Sequence, residues 1–299
     1  WRGVLISRKN AHRKRPHRAP QDRAAFSKTL REIGDDIHRG ETAAGLAKAN
    51  QALTHSGLDR PRQARVLALV ADSEFRRGRF ADAAQIQLQA ATRSLDHATL
   101  WLRPHIGVVR ALLKVPDVQQ AVTMARHAVE LAAAKMTDFN AAVRSAGWEL
   151  ALNRQVEVPM VPPRISVVAT RMGNLFLQEG EPEAAEEFFQ KAIQSAKGGA
   201  NRARQGLAQI ALAKGEAARA IEIATDAIRR GKYGAKTLPA WKTLIAARRQ
   251  QGGWRISDRL IENLDAAPAG LRSRTILTIV RELRKNDMRQ WREVAERWS

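Results

Sequence analysis

Apolar residues recur along this chain at three- and four-residue spacing, as in Val66, Leu67, Val70 and Ala71. That is the period at which an α-helix returns to one face. Period-2 alternation of Val, Ile and Thr is nearly absent. From about residue 25, Ala, Leu, Glu, Gln, Arg and Lys dominate, the residues that cost least in a helix. Gly sits mostly at segment ends. The pattern predicts helices of roughly a dozen residues joined by short turns, with almost no strand.

The helical segments repeat. Ala71, Gly78, Ala83 and Ala90 share their spacing with Val109, Pro116, Ala121 and Ala128. The same offsets return in Gly173, Gly180, Ala185 and Ala192, and again in Ala208, Gly215, Ala220 and Ala227. Each set is a small residue, a turn-maker seven later, an alanine five further on, and another alanine after seven more. A close helix crossing calls for small residues face to face, with Gly173 against Ala185 as the expected pair. Gly180 and Gly215 stand where a helix C-cap needs positive φ. One such pair cannot bury its own face, so stacking must supply the core.

The stretch TRMGNLFLQEGEPEAAEEFFQKAIQSA, Thr170 to Ala196, resembles a tetratricopeptide repeat through Met172, Gly173, Phe176, Gly180, Ala185, Phe189 and Ala192. Segments from Ala64, Leu102 and Asn201 match more loosely. Two more are degenerate, one from Phe26 with its turn at Gly40, the other from Leu238 through Trp241, Leu244, Gly252, Ile261 and Leu264. The resemblance implies an all-α fold, a right-handed α-solenoid of about six to seven antiparallel helix pairs. The last amphipathic segment, Leu271 to Trp298, is expected to cap the stack.

Two stretches break the rhythm. Residues 1–24 carry eight cations, among them Arg8, Lys9, Arg13, Lys14, Arg15 and Arg18, against Asp22 alone. Pro16 and Pro20 are expected to break helix there, leaving a basic arm that is mobile on its own. VEVPMVPP, Val156 to Pro163, holds three prolines, which excludes helix interior. Residues 155–165 are therefore a loop or a hinge between N-terminal repeats, 25–154, and C-terminal repeats, 166–299.

Composition narrows the chemistry. There is no cysteine, which excludes disulfides, thiolate metal sites and a cysteine nucleophile. With 51 basic against 30 acidic residues the formal charge is +21, which draws nucleic acid, acidic proteins or anionic lipid. His12, His17, His38, His55, His97, His105 and His127 are scattered, with no metal-binding pair among them. Asp35 with Asp36, and Glu186 with Glu187, are adjacent on helices and read as solvated faces. KGGAN and RGKYG lack the length and Ser/Thr of a phosphate loop. The tryptophans read as packing residues, with Trp291–Arg292 and Arg297–Trp298 nearest to a base-stacking platform. No enzyme activity, cofactor, metal or small-molecule substrate is expected.

Solenoids bind on the concave face, lined by the first helix of each pair. The resemblance carries that face onto Arg65, Asp72, Arg76, Arg103, Arg110, Lys114, Asn174, Gln178, Arg202, Gln205, Gln209, Lys242, Arg249 and Gln250. This is a polar, net basic groove, strongest in its N-terminal half. A carboxylate clamp of the kind some family members carry is incomplete, because Thr170 stands where Lys is required and Gly206 where Asn is. The expected function is a protein-interaction scaffold whose groove takes an acidic partner. Two alternatives are a basic solenoid binding RNA or DNA through phosphates, and an assembly factor with its arm on anionic lipid. The first residue is Trp1 rather than Met, and contact with a membrane would need an anchor upstream of it. The expected location is cytoplasmic.

Overall fold

A computed structural model of the chain describes residues 20–54, 58–115, 117–151, 160–196, 200–231, 237–253, 256, 269–286, 288 and 290–297. Among these there are thirteen helices and no strand. They are α1 (Pro20–His38), α2 (Thr42–Thr54), α3 (Arg60–Arg76), α4 (Phe80–Ser94), α5 (Leu102–Leu112), α6 (Val118–Ala151) and α7 (Ile165–Gln178). The rest are α8 (Pro182–Gln194), α9 (Asn201–Ala213), α10 (Ala217–Arg230), α11 (Leu238–Gln250), α12 (Ala269–Lys285) and α13 (Trp291–Arg297). Consecutive helices pack as pairs, and the pairs stack into an α-solenoid.

Five helix ends are built alike. Gly40, Gly78, Gly180, Gly215 and Gly252 all have φ between +76° and +85°. After each glycine the next amide reaches back to close the helix end, as Arg79 N–H does to Glu74 O at 3.0 Å and Glu181 N–H to Phe176 O at 2.9 Å. A side chain at that φ is strained, so glycine fixes where each chain reversal falls. Pro116, the turn-maker between α5 and α6, lies outside the described residues. The alanines that recur after the turns, Ala83, Ala90, Ala121, Ala128, Ala185, Ala192, Ala220 and Ala227, are all buried.

Four expectations need correction. α1 opens at Pro20 rather than being broken by it. At the first helical position proline's missing N–H has no partner to lose. α6 runs for 34 residues, about 51 Å at 1.5 Å per residue, far beyond a dozen. Among its described side chains the last fully buried one is Ala132, and Asp138, Asn140, Val143 and Arg144 beyond it are exposed. The nearest side chain to Gly173 is Phe189 rather than Ala185. A Cβ at Gly173 would lie 2.7 Å from the Phe189 ring, and one at Gly206 of α9 would lie closer still to the same ring. Phe189 thus fills the gap between α7 and α9, and two glycines make room for it. Of the adjacent carboxylates, Glu186 and Asp36 are largely removed from solvent, and Glu187, though exposed, is paired. Glu187 forks onto Arg126 of α6 at 2.7–2.8 Å, while Glu186 holds Lys214 at 3.0 Å and Arg219 at 2.6 Å in the following pair. Those hydrogen bonds keep both carboxyls below the ordinary range, Arg219 contributing most for Glu186 and Arg126 for Glu187. Asp36 is 2% exposed and pairs with Lys48 and Arg39, at 2.7 and 2.8 Å; only Asp35 of that couple is exposed. Neighbouring helix positions point about 100° apart, so each glutamate of the first couple reaches a different neighbour.

The core is continuous across residues 155–165. One cluster joins Trp101, Val109 and Ala125 to Met172, Phe176, Phe189 and Ile210, and Phe176 stacks on Phe188 at 5.3 Å. A second cluster gathers around Trp241, Ile245, Ile279 and Leu283. Trp101 and Trp241 are fully buried. The side chain of Trp148, and all of Trp1, Trp254 and Trp298, lie outside the described residues, as do His12, His17 and His55.

His105 is the buried histidine of the first cluster, 2% exposed and edge-on to Trp101. Its Nδ1 lies 2.7 Å from Trp101 O, and a carbonyl only accepts, so Nδ1 carries the proton. Burial pushes its pKa below the ordinary value against that hydrogen bond, with His127 and Lys135 of α6 adding to the lowering. The unfolded chain therefore binds more protons as pH falls through about 6.5. Stability from this site is full above that pH and is lost as pH falls through it towards the folded value. Thermal melts should show Tm dropping between about pH 7.5 and 5.5, and His105→Gln should lessen the drop. An undiminished drop in the variant assigns the pH dependence elsewhere.

Candidate binding groove

Successive first helices pack on one another along the whole stack: α1 on α3, α3 on α5, α5 on α7, α7 on α9, α9 on α11, and α11 on α12. No two second helices approach as closely among the described residues. The first helices therefore form the tighter, inner side of the solenoid, and their free faces line a groove.

In the N-terminal part of that groove, α1, α3 and the start of α5 line a half-open cavity of about 460 Å³. Leu30, Ala64, Ala68, Leu69 and Leu100 supply its apolar lining, and Arg31, Arg65 and Arg103 stand beside them. All three arginines are exposed. Arg31 and Arg65 make no ion pair among the described residues, and Arg103 meets Asp72 at 3.3 Å. The volume falls within the usual range for ligand sites, and three guanidiniums around an apolar floor suit a group that is greasy in the middle and anionic at its edges.

The other expected groove residues are not equivalent. Arg76 is exposed, with Nη2 3.1 Å from His38 Nε2. His38 gives its Nδ1 proton to Gly34 O at 2.7 Å, leaving Nε2 as the acceptor for Arg76. Arg110 lies over the Phe75 ring at 4.3 Å. Lys114 is neutralised by Glu179, and Lys242 meets Glu282 at 3.4 Å. Asn174 is half-buried, while Gln178, Arg202, Gln209 and Gln250 are exposed. Arg249 is half-buried and already engaged. Gln205 is 6% exposed, buried rather than open to the groove. Gly206 cannot carry a clamp residue, because a Cβ there would meet the Phe189 ring. The Thr170 hydroxyl donates to Ser166 O at 2.6 Å and is spent on its own helix. Arg8, Lys9, Arg13, Lys14, Arg15 and Arg18 of the arm lie outside the described residues.

Arg31 was not among the expected groove residues, yet a signal for it exists. It stands nine residues before Gly40, as Leu69 stands nine before Gly78, one helical turn after the position of Arg65. No group of three or more His, Asp or Glu able to hold a metal ion occurs among the described residues. No helix among them is long and apolar enough to cross a membrane.

No protein-family model matches the chain, and no curated protein matches it. Among solved structures it is similar to BtubC from P. vanneervenii, at 12% identity and a TM-score of 0.48, with 85% of this chain and 92% of that chain covered. It is similar also to a tetratricopeptide repeat protein from Parabacteroides merdae ATCC 43184, at 12% identity and a TM-score of 0.44, with 91% and 98% covered. A third is the MamA protein, at 13% identity and a TM-score of 0.38, with 76% and 93% covered. The architecture stands on the chain's own helix pairing and turn geometry.

Proposed function

We propose that the chain is a non-enzymatic protein-interaction scaffold that holds an acidic segment of a protein partner in the N-terminal part of its inner groove. The observation that supports this best is the apolar-floored cavity with Arg31, Arg65 and Arg103 from three successive first helices around it. Each pair lends one helix to a continuous inner face, so an extended segment can run along several pairs. A partner with one apolar side chain between carboxylates would use both the floor and the guanidiniums. Duplex DNA held through phosphates alone would leave the floor unused.

Fluorescence anisotropy with a peptide carrying leucine between glutamates, alongside a duplex DNA, tests this. Peptide affinity should fall only moderately with added salt. If the duplex binds more tightly, with a log–log salt slope near −0.9 per phosphate that reversal of Arg65 and Arg103 flattens, the nucleic-acid function replaces the scaffold one for this groove.

A further inference from the structure

A separate basic surface lies on α12 and α13. Leu277, Arg281, Arg284 and Lys285 are exposed, and at 3.6 residues per turn they share an arc of about 100° on α12. The opposite side of α12 is spent on the core: Ile276, Ile279 and Leu283 are buried. Trp291, at the start of α13, packs in part against that core and is partly exposed beside this arc. Its ring centre lies 5.6 Å from the Arg284 guanidinium and 5.4 Å from that of Arg292. None of these four cations makes an ion pair among the described residues, whereas Glu282 beside them is taken by Lys242.

We infer that this face binds single-stranded nucleic acid, with Trp291 as the stacking surface and Arg281, Arg284, Lys285 and Arg292 contacting phosphates. An indole and two guanidinium planes stack on any base, and cations flanking them track the backbone. Amphipathic-helix insertion into a lipid surface needs a free apolar face, and α12 has buried its own. A protein interface needs an apolar centre, and Leu277 is the one large apolar side chain exposed on this helix among the described residues. A base can replace either guanidinium on the indole, freeing that arginine for a phosphate. This inference does not depend on the N-terminal groove.

The test is anisotropy of the full chain with a fluorescein-labelled oligothymidylate of about 12 nucleotides, titrated at several salt concentrations. Each phosphate contacted on a single strand contributes about −0.7 to the log–log slope. R284E/R292E should weaken binding at least about tenfold and flatten the slope by about 1.4. W291L should weaken it about tenfold with the slope unchanged, since stacking releases no counterion. R65E/R103E should leave the slope as it is, so the two sites fail or stand separately. A bromodeoxyuridine-substituted strand should cross-link to the tryptic peptide containing Trp291. Should R284E/R292E lower Tm, R281E/K285E replaces it, with the same expected flattening. An unchanged slope in the reversed variants, or cross-links confined to other peptides, overturns the assignment.

Discussion

Phe189→Ala should lower the unfolding free energy by about 3–5 kcal/mol, the range for deleting a buried aromatic ring. The ring is fully buried and lies between α7 and α9, over Gly173 and Gly206. Its loss opens a cavity at a joint between pairs, where neither helix can collapse without unseating its neighbour. The reciprocal change is sharper as a test of geometry. Gly206→Ala should gain about 1 kcal/mol from helix propensity alone. Against Phe189 its methyl has no room, so the expected sign is reversed, with a net loss of about 1–3 kcal/mol from overpacking. Gly206→Ala combined with Phe189→Leu should recover part of that loss, a non-additivity expected only of residues in contact. Urea unfolding at constant m-value reads all three. If Gly206→Ala is as stable as the parent, the joint is built otherwise.

R65E/R103E should abolish binding of the acidic peptide, by at least about a hundredfold. Two charge-assisted hydrogen bonds at about 1.5–3 kcal/mol each are removed, and a hundredfold corresponds to about 2.7 kcal/mol. The fold should not change. Arg65 is exposed and makes no ion pair among the described residues, and the Arg103–Asp72 bridge is between side chains 76% and 42% exposed, a class that contributes at most about 1 kcal/mol. Arg65→Lys with Arg103→Lys should keep part of the affinity, since an ammonium retains the charge but not the planar fork. Arg31→Glu alone should weaken the peptide as much as Arg65→Glu alone, because both line one cavity. Calorimetric titration with matched circular dichroism spectra separates lost binding from lost structure. Unaltered affinity in all of these variants moves the partner to another face.

The repeat spacing is legible in the sequence because it follows from local chemistry. Gly78, Gly180, Gly215 and Gly252 take the left-handed conformation at a helix end, and after the first three an alanine five residues on is buried. Those positions are decided by backbone sterics and by one helix against its immediate partner. Helix pairing, turn placement and the buried alanines could therefore be read residue by residue, as could the exposed basic positions Arg65 and Arg103.

What only the tertiary structure decided are relations between pairs. Arg31 joins Arg65 and Arg103 because α1, α3 and α5 lie side by side, although 34 and 72 residues separate these arginines in sequence. Glu186 and Glu187 are identical as neighbours in sequence, yet one binds the pair after and the other the pair before. Gln205 occupies a helix position expected to face the groove, and the approach of Phe189 to Gly206 accompanies its burial. Lys114 and Lys242 lose their availability to carboxylates on other elements, Glu179 and Glu282. Charge and helical period are properties of a short segment and survive in any context. Whether a cation is free, and whether a side chain faces solvent, depends on which distant segment the stacking brings within about 4 Å. That distance is set by the accumulated packing of every pair between them.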